Sequence, residues 1–309
     1  MWEKNQKTLN SKVTFSGIGL HSGKQVDVTL LPSNSNSGII FKRNDLEKNN
    51  EIIANFKNVS SAKLCTKIEN KFNVSVSTIE HLMAAFYICG VDNLVVSLNG
   101  PEIPIMDGSA KDFVKIIKNC GLKTQAGKRK FVKIKNNVEL REGEKLINIK
   151  PTNKNFDVKF TLKYENCPLI KTQTNKINFK NNNLDNVINA RTFCLYEDIE
   201  EIKSLGLAKG GSLKNAIVVK GDKILNEEGL RCDMEFVNHK ILDLVGDFML
   251  SGVRVIGAVE CIHGGHALTN QFLKKIFSNK NNYSIIESES SSENIRKILP
   301  INKRLAVNA

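Results

Sequence analysis

The segment from Phe236 to Leu250 constrains the fold of this 309-residue chain most, because it combines an apolar helical pattern with charged side chains. Its spacing predicts a buried or half-buried helix on which His239, Asp243 and Asp247 share one face. Ionised carboxylates among Phe, Val, Ile and Leu side chains are costly unless a charged group meets them. The chain must therefore fold so that this helix face meets a cation or other polar groups.

A divalent metal ion is a cation that this face could bind. An imidazole and a carboxylate one helical turn apart can ligate a single ion, as the two histidines of helical zinc motifs do. His239 and Asp243 supply only two ligands, so a third ligand and a base must come from elsewhere in the chain. On spacing alone, Asp247 is either a solvated helix residue or a carboxylate that orients an imidazole.

Two further histidines lie in distinctive local sequences. His81 follows Glu80, which closes an S-x-x-E pattern that begins at Ser77 and is typical of a helix capping box. Taken alone, this pattern favours a cap, but a cap does not require His81, so a metal ligand beside a general base is the other interpretation. His266 follows two glycines, which favours either a loop close to a ligand or a loop histidine bonded to backbone. Spacing alone leaves a mononuclear metal hydrolase as a hypothesis.

Composition indicates a globular protein without a membrane span. Apolar residues make up 41% and charged residues 25% of the chain, and the length suits about two domains. We find no run of about 18 or more uncharged apolar residues, and residues 1–5 lack the apolar region of a secretory signal. The seven cysteines include no C-x-x-C pair, which favours a reducing cytoplasm over a disulfide framework.

The net charge of +13 leaves several interpretations open. A composition rich in Lys and Asn explains it without any partner, since a basic excess affects solubility and association more than fold. A phosphate-bearing ligand, an anionic membrane surface or nucleic acid would also suit a basic protein. Only 6% of the residues are aromatic and no DNA- or RNA-binding motif is present, which argues against nucleic acid.

Each half of the chain mixes strand patterns with about two helical patterns, which predicts an α+β fold and not a doubly wound sheet. The polar, basic residues 123–130 are predicted to be a linker, which divides the chain into domains 1–124 and 125–309. The Ser/Glu-rich residues 287–294 and the basic tail after Pro300 are predicted to be surface or frayed structure.

Six sequence motifs occur along the chain in a fixed order. They are Gly17–Gly23 (GIGLHSG), Ser77–Leu82 (STIEHL), Pro101–Ala110 (PEIPIMDGSA), Ala190–Phe193 (ARTF), Leu225–Arg231 (LNEEGLR) and the helix from His239 to Asp247. Through these motifs the chain closely resembles the UDP-3-O-acyl-N-acetylglucosamine deacetylases, zinc amidases of lipid A biosynthesis, up to about residue 300. The resemblance implies two similar domains, each a small mixed or antiparallel sheet packed against two helices, with the active site between them.

The resemblance also implies a role for each candidate site residue. Zinc, or alternatively iron(II), would be held by His81, His239 and Asp243. Glu80 would be the general base, His266 the general acid, Asp247 the residue that orients His266, and Thr192 a contact to the carbonyl oxygen. The substrate-binding residues would be Phe193 near the sugar, Lys240 near polar groups, Leu20 and Leu64 on the apolar side, Gly211 in an acyl-passage insert of about residues 194–219, and His263 near phosphate.

The implied activity is hydrolysis of the N-acetyl group of UDP-3-O-[(3R)-3-hydroxyacyl]-N-acetylglucosamine, which commits it to lipid A biosynthesis. The chain departs from the family pattern at His263, Asn238 and Cys194, but at none of the implied metal or proton-transfer positions. We expect a cytoplasmic monomer that touches the membrane surface only transiently. The alternatives are a catalytically silent relative that binds lipid or nucleotide sugar, and a basic nucleic-acid-binding protein.

Overall fold

The computed structural model of the chain describes residues 3–153, 156–180 and 182–288. Of the segments predicted to be surface or frayed, the tail after Pro300 and all but the first two residues of 287–294 lie outside the described residues, as do residues 1–2 of the polar opening. The described residues form several small sheets and helices, so the predicted α+β class is confirmed.

The N-terminal half of the chain is built mainly from short strands. Its helices are α1 (Glu80–Cys89) and α2 (Lys111–Cys120). Its strands are β1 (Asn5–Leu9), β2 (Val13–Ile18), β3 (Gln25–Pro32), β4 (Ile39–Arg43), β5 (Glu51–Ile53), β6 (Val59–Ser61), β7 (Lys67–Glu69), β8 (Ser75–Val76), β9 (Leu94–Leu98) and β10 (Leu122–Lys128).

The largest sheet of this half is mixed, with strand order β2-β3-β9-β4-β5. Strands β4 and β9 are parallel, and the other neighbours are antiparallel. Burial alternates along β3, where Val26, Val28 and Leu30 face the core, as expected for a strand with one solvated face. Phe15 of β2 packs edge-on against Phe113 of α2, with ring centroids 5.6 Å apart. A smaller antiparallel sheet joins β6, β7 and β8.

The C-terminal half repeats the mixture of strands and helices. Its helices are α3 (Asp185–Ile188), α4 (Ile199–Ser204), α5 (Glu235–Met249) and α6 (His266–Ser278). Its strands are β11 (Lys130–Ile134), β12 (Val138–Glu142), β13 (Lys145–Lys150), β14 (Phe156–Tyr164), β15 (Lys171–Asn178), β16 (Phe193–Leu195), β17 (Ile217–Lys220), β18 (Lys223–Ile224), β19 (Arg254–Ile262) and β20 (Tyr283–Glu287).

Strand β19 is the centre of the second mixed sheet. It pairs in parallel with β11 and β14 and antiparallel with β13, and β20, β15 and β12 add antiparallel strands outside them. Helix α5 packs on this sheet through Phe248, whose ring lies 5.4 Å from that of Phe156 and 6.4 Å from that of Phe272 in α6. Among the described residues, no helix is both long and apolar enough to cross a membrane.

The predicted linker at residues 123–130 is wrong as a description of local structure. Most of it belongs to β10, which pairs antiparallel with β1 from Leu9–Leu122 to Asn5–Lys128. Its polar residues suit a two-stranded ribbon with an exposed face, so a polar run alone cannot distinguish a linker from such a strand. The domain boundary at 124/125 stays a prediction.

Helices α1 and α5 cross at close range, and this crossing joins the two halves of the chain. Gly246 permits the approach, because a Cβ at this position would lie 2.0 Å from the carbonyl oxygen of Glu80. The crossing sets His81, on α1, beside the face of α5 that carries the histidine and aspartates singled out by their spacing.

Candidate metal centre and active site

Three buried side chains converge where α1 meets α5. The Nε2 atoms of His81 and His239 lie 3.4 and 3.3 Å from Oδ1 of Asp243, and the two imidazole rings are 4.9 Å apart. One potential ligand atom from each of these residues lies within 4.8 Å of the others. The structure therefore brings together the three residues that the sequence predicts as metal ligands, although 158 positions separate His81 from His239.

The donor atoms of this group suit a metal ion. The Nδ1 atom of His239 lies 3.0 Å from the carbonyl oxygen of Ala190, to which its N–H donates, so that Nε2 keeps a free lone pair. Burial lowers the pKa of His239 to about 3, so the imidazole is neutral, as a ligand must be. Oδ1 of Asp243 is buried and has no hydrogen-bond partner within the described ranges. Two imidazoles and a carboxylate are ligands typical of zinc and iron(II).

Lys240 supplies a positive charge next to this group. Its Nζ donates to Oδ2 of Asp243 at 2.6 Å, which leaves Oδ1 facing the two imidazoles. Burial acts to raise the pKa of Asp243, but His239 and Lys240 outweigh it and hold that pKa well below 3.8. The carboxyl is therefore ionised at neutral pH and available as a ligand.

Glu80 points into the same site and does not take part in a helix cap. Helix α1 is preceded by Ile79 without a side-chain cap, and the hydroxyl of Ser77 donates instead to the carbonyl oxygen of Pro101. The capping-box interpretation is therefore wrong. Oε1 of Glu80 lies 3.7 Å from Nε2 of His266. Burial raises the pKa of Glu80 above 4.5, although His266 and His81 oppose this effect, and a raised pKa makes a carboxylate a stronger base.

His266 is the first residue of α6 and not part of a loop as its two preceding glycines suggest. Its Nδ1 lies 2.8 Å from Oδ2 of Asp247, so the spare carboxylate of α5 contacts this imidazole. Its Nε2 faces Glu80 and lies 3.9 Å from Oδ2 of Asp243. Burial acts to lower the pKa of His266, but Asp247 and Glu80 outweigh it and raise that pKa to about 9. The imidazole can therefore act as an acid at neutral pH.

A cavity of about 440 Å³ opens over these groups, a volume in the range of small-molecule sites. Residues of both halves line it, so the site lies between them. Five of the predicted substrate or carbonyl contacts are among its lining residues: Leu20, Leu64, Thr192, Phe193 and Lys240.

Gly211 and His263 lie outside the cavity lining. Gly211 is close to the wall, since a Cβ there would lie 3.7 Å from Cδ1 of Leu20. The His263 ring packs against Tyr164, with centroids 6.0 Å apart, and Tyr164 lines the cavity. Burial and the nearby Lys145 lower the pKa of His263 below its ordinary 6.5.

The backbone around Thr192 is anchored by a buried ion pair. Both the backbone N–H and Nε of Arg191 donate to Oε1 of Glu235, at 3.0 and 2.9 Å, and the neighbouring Thr192 N–H donates to the carbonyl oxygen of Gly108 at 2.8 Å. Glu235 is the first residue of α5, one turn before His239. The Arg191–Glu235 contacts therefore connect the backbone next to Thr192 with the helix that carries His239.

Tyr164 and Thr66 are among the residues at the site that the sequence did not predict. Tyr164 lines the cavity, and its ring lies 5.9 Å from that of Phe193. Thr66 is buried and contacts both Glu80 and Asp247. Neither residue carries a local signal, because a tyrosine at the end of a strand and a threonine next to a short strand are ordinary in any α+β protein.

Comparisons with known proteins agree with this geometry. The family model described as UDP-3-O-acyl N-acetylglycosamine deacetylase (LpxC) matches residues 6–278. Relatives named UDP-3-O-acyl-N-acetylglucosamine deacetylase include that of Haemophilus ducreyi, 39% identical over 93% of this chain and 95% of the relative. Those of Geotalea uraniireducens and Wigglesworthia glossinidia brevipalpis are 44% and 42% identical, over 91% and 90% of this chain and 91% and 94% of the relative. The chain belongs to the UDP-3-O-acyl N-acetylglycosamine deacetylase family.

Proposed function

We propose that this chain hydrolyses the N-acetyl group of UDP-3-O-[(3R)-3-hydroxyacyl]-N-acetylglucosamine, releases acetate and a free amine, and thereby commits the sugar to lipid A biosynthesis. Membership of a deacetylase family supports this activity. The observation that carries it is the meeting of Glu80 with His266, 3.7 Å apart, at the edge of the His81, His239 and Asp243 group.

We propose Zn²⁺ as the resident metal, with Fe²⁺ as the alternative, held by His81, His239 and Asp243. When bound, the metal would act as a Lewis acid toward the acetyl oxygen and lower the pKa of water toward ~7. The buried Oδ1 of Asp243, which has no hydrogen-bond partner among the described residues, and the Nε2 atoms of the two imidazoles, 3.4 and 3.3 Å from it, support this ligand set.

The two proton-transfer groups would act in succession. Glu80 would take a proton from the attacking water as the water oxygen bonds to the acetyl carbon. The bond between that carbon and the sugar nitrogen then breaks, and His266 gives its Nε2 proton to the departing nitrogen. Asp247 keeps the ring in place through Nδ1, at 2.8 Å. Thr192, on the cavity wall, would donate to the acetyl oxygen as negative charge develops there.

The rest of the cavity suits an acylated nucleotide sugar. Phe193 would pack near the sugar ring and Lys240 near its polar groups, while Leu20 and Leu64 supply apolar surface. We propose that the insert of about residues 194–219, which includes Gly211, borders the acyl chain, and that His263 lies toward the diphosphate. All seven cysteines are free thiols, which supports the cytoplasm as the compartment.

Acetate release from the acylated UDP-sugar tests the proposal. The zinc-loaded wild-type chain should release acetate and free amine in equal amounts, and Glu80→Ala should be slower by about 10²- to 10⁴-fold because the general base is lost. Glu80→Ala should still bind the substrate. Substrate binding by wild type without acetate release would instead support a catalytically silent relative, and salt-dependent DNA binding without turnover would support a nucleic-acid-binding protein.

A further inference from the structure

Thr66 occupies an unusual position between the two proton-transfer groups. It directly precedes strand β7, and only 2% of its surface is exposed. Its backbone N–H donates to Oε2 of Glu80 at 3.0 Å, and its hydroxyl donates to Oδ1 of Asp247 at 2.6 Å. One buried residue thus contacts both carboxylates of the acid–base machinery.

These contacts close a ring of four residues. One carboxylate oxygen of Glu80 accepts a hydrogen bond from Thr66, and the other faces His266. Asp247 likewise contacts Thr66 through one oxygen and His266 through the other. The four residues come from α1, the segment before β7, α5 and α6, so no single helix holds the ring together. Thr66 is its neutral member, and it supplies a donor to each buried carboxylate.

The hydroxyl of Thr66 limits how Asp247 can turn. Asp247 is only 3% exposed, so Oδ1 would become a buried acceptor without its 2.6 Å bond if the hydroxyl were removed. Rotation of the carboxylate to recover a partner would move Oδ2 and, with it, the His266 ring. Reaction rates depend steeply on such geometry, because misplacement by about 1 Å costs about 10²-fold.

We propose that Thr66 is a positioning residue of the deacetylation: its N–H fixes Glu80 and its hydroxyl fixes Asp247, and thereby His266. This inference rests on the proposed function. Thr66 does not touch the reacting atoms, and it acts only through the carboxylates that it holds.

A matched pair of variants of the full-length, zinc-loaded chain tests the proposal. Thr66→Val keeps the shape and removes the hydroxyl, whereas Thr66→Ser keeps the hydroxyl and removes a methyl group. With the acylated UDP-sugar as substrate, Thr66→Val should lower kcat by about 10- to 100-fold. Losses of this size are typical when a hydrogen-bond partner of a metal-site residue is removed. KM and the zinc content should stay near wild type, and Thr66→Ser should recover most of kcat.

Several outcomes would overturn the inference. Wild-type kcat in Thr66→Val, an equal loss in Thr66→Ser, or a rise in KM alone would each show that Thr66 contributes packing or substrate binding instead. In the Asp247→Ala background, Thr66→Val should cause little further loss, and additive losses would contradict the proposed route. If the valine variant does not fold, Thr66→Ala removes the same hydroxyl and the same results are expected. Absence of acetate release by wild type would instead refute the proposed function, and the inference with it.

Discussion

Two histidines of this site have opposite protonation behaviour because their neighbours differ. His239 is surrounded by the core and bonded to a backbone carbonyl, and its pKa falls to about 3. His266 is also buried but contacts Asp247 and lies near Glu80, and its pKa rises to about 9. The same type of side chain can therefore be neutral, as a metal ligand must be, in one position of the site and protonated in another.

The raised pKa of His266 predicts how the stability of the metal-free protein depends on pH. Because the folded-state pKa of about 9 exceeds the ordinary 6.5, protonated His266 stabilises the fold fully below pH 6.5 and loses this effect as pH rises through 9. Urea unfolding of wild type and His266→Gln should show a stability difference that decreases by about 3 kcal/mol over that range. A difference that is flat or grows with pH would contradict the assignment.

Among the secondary-structure elements, the crossing of helices α1 and α5 determines whether the candidate active site can form. The proposed metal ligands and Glu80 lie on these two helices, and the separation of the helices is limited by Gly246, which faces the Glu80 carbonyl oxygen. After Glu80 and His81, helix α1 is mainly apolar and almost fully buried, as expected for a helix enclosed by other elements. The core packing therefore also sets the distances between Glu80 and the residues proposed to bind the metal.

Gly246→Ala should separate the two helices. A Cβ that would lie 2.0 Å from backbone has no flexible neighbour to displace, so we expect a loss of about 1–3 kcal/mol in the free energy of unfolding, together with slower deacetylation. Gly265→Ala is a control for the stability measurement, since its Cβ would meet nothing within 4 Å on an extended backbone. Equal stabilities of the two variants would refute the close-contact argument.

In the molecule as a whole, the features that follow from local periodicity could be predicted from the sequence. The α5 face with His239, Asp243 and Asp247 follows from spacing alone, because a helix places such residues in one row. The capping box and the loop at His266 were wrong predictions, since the same local patterns suit several structures and tertiary packing selects among them.

Contacts between distant segments could not be read from spacing. The approach of His81 to Asp243 and the contacts of Thr66 both depend on tertiary packing, and 181 positions separate Thr66 from Asp247. The family resemblance carried by the ordered motifs predicted His81 as a metal ligand. Nothing in the local sequence around Thr66 indicates its contacts. Such residues become visible only when the segments are placed together.

We propose that deacetylation depends on a metal ion held by His81, His239 and Asp243. The most direct measurement is acetate release from the acylated UDP-sugar by the chelator-treated chain during titration with Zn²⁺, with His239→Ala as the control. Activity should be absent without metal and reach a plateau at about one equivalent, as a mononuclear site requires, whereas His239→Ala should neither retain zinc nor release acetate. Full activity in the chelated chain, or zinc-dependent turnover by His239→Ala equal to wild type, would show that deacetylation does not depend on a metal held by these three residues.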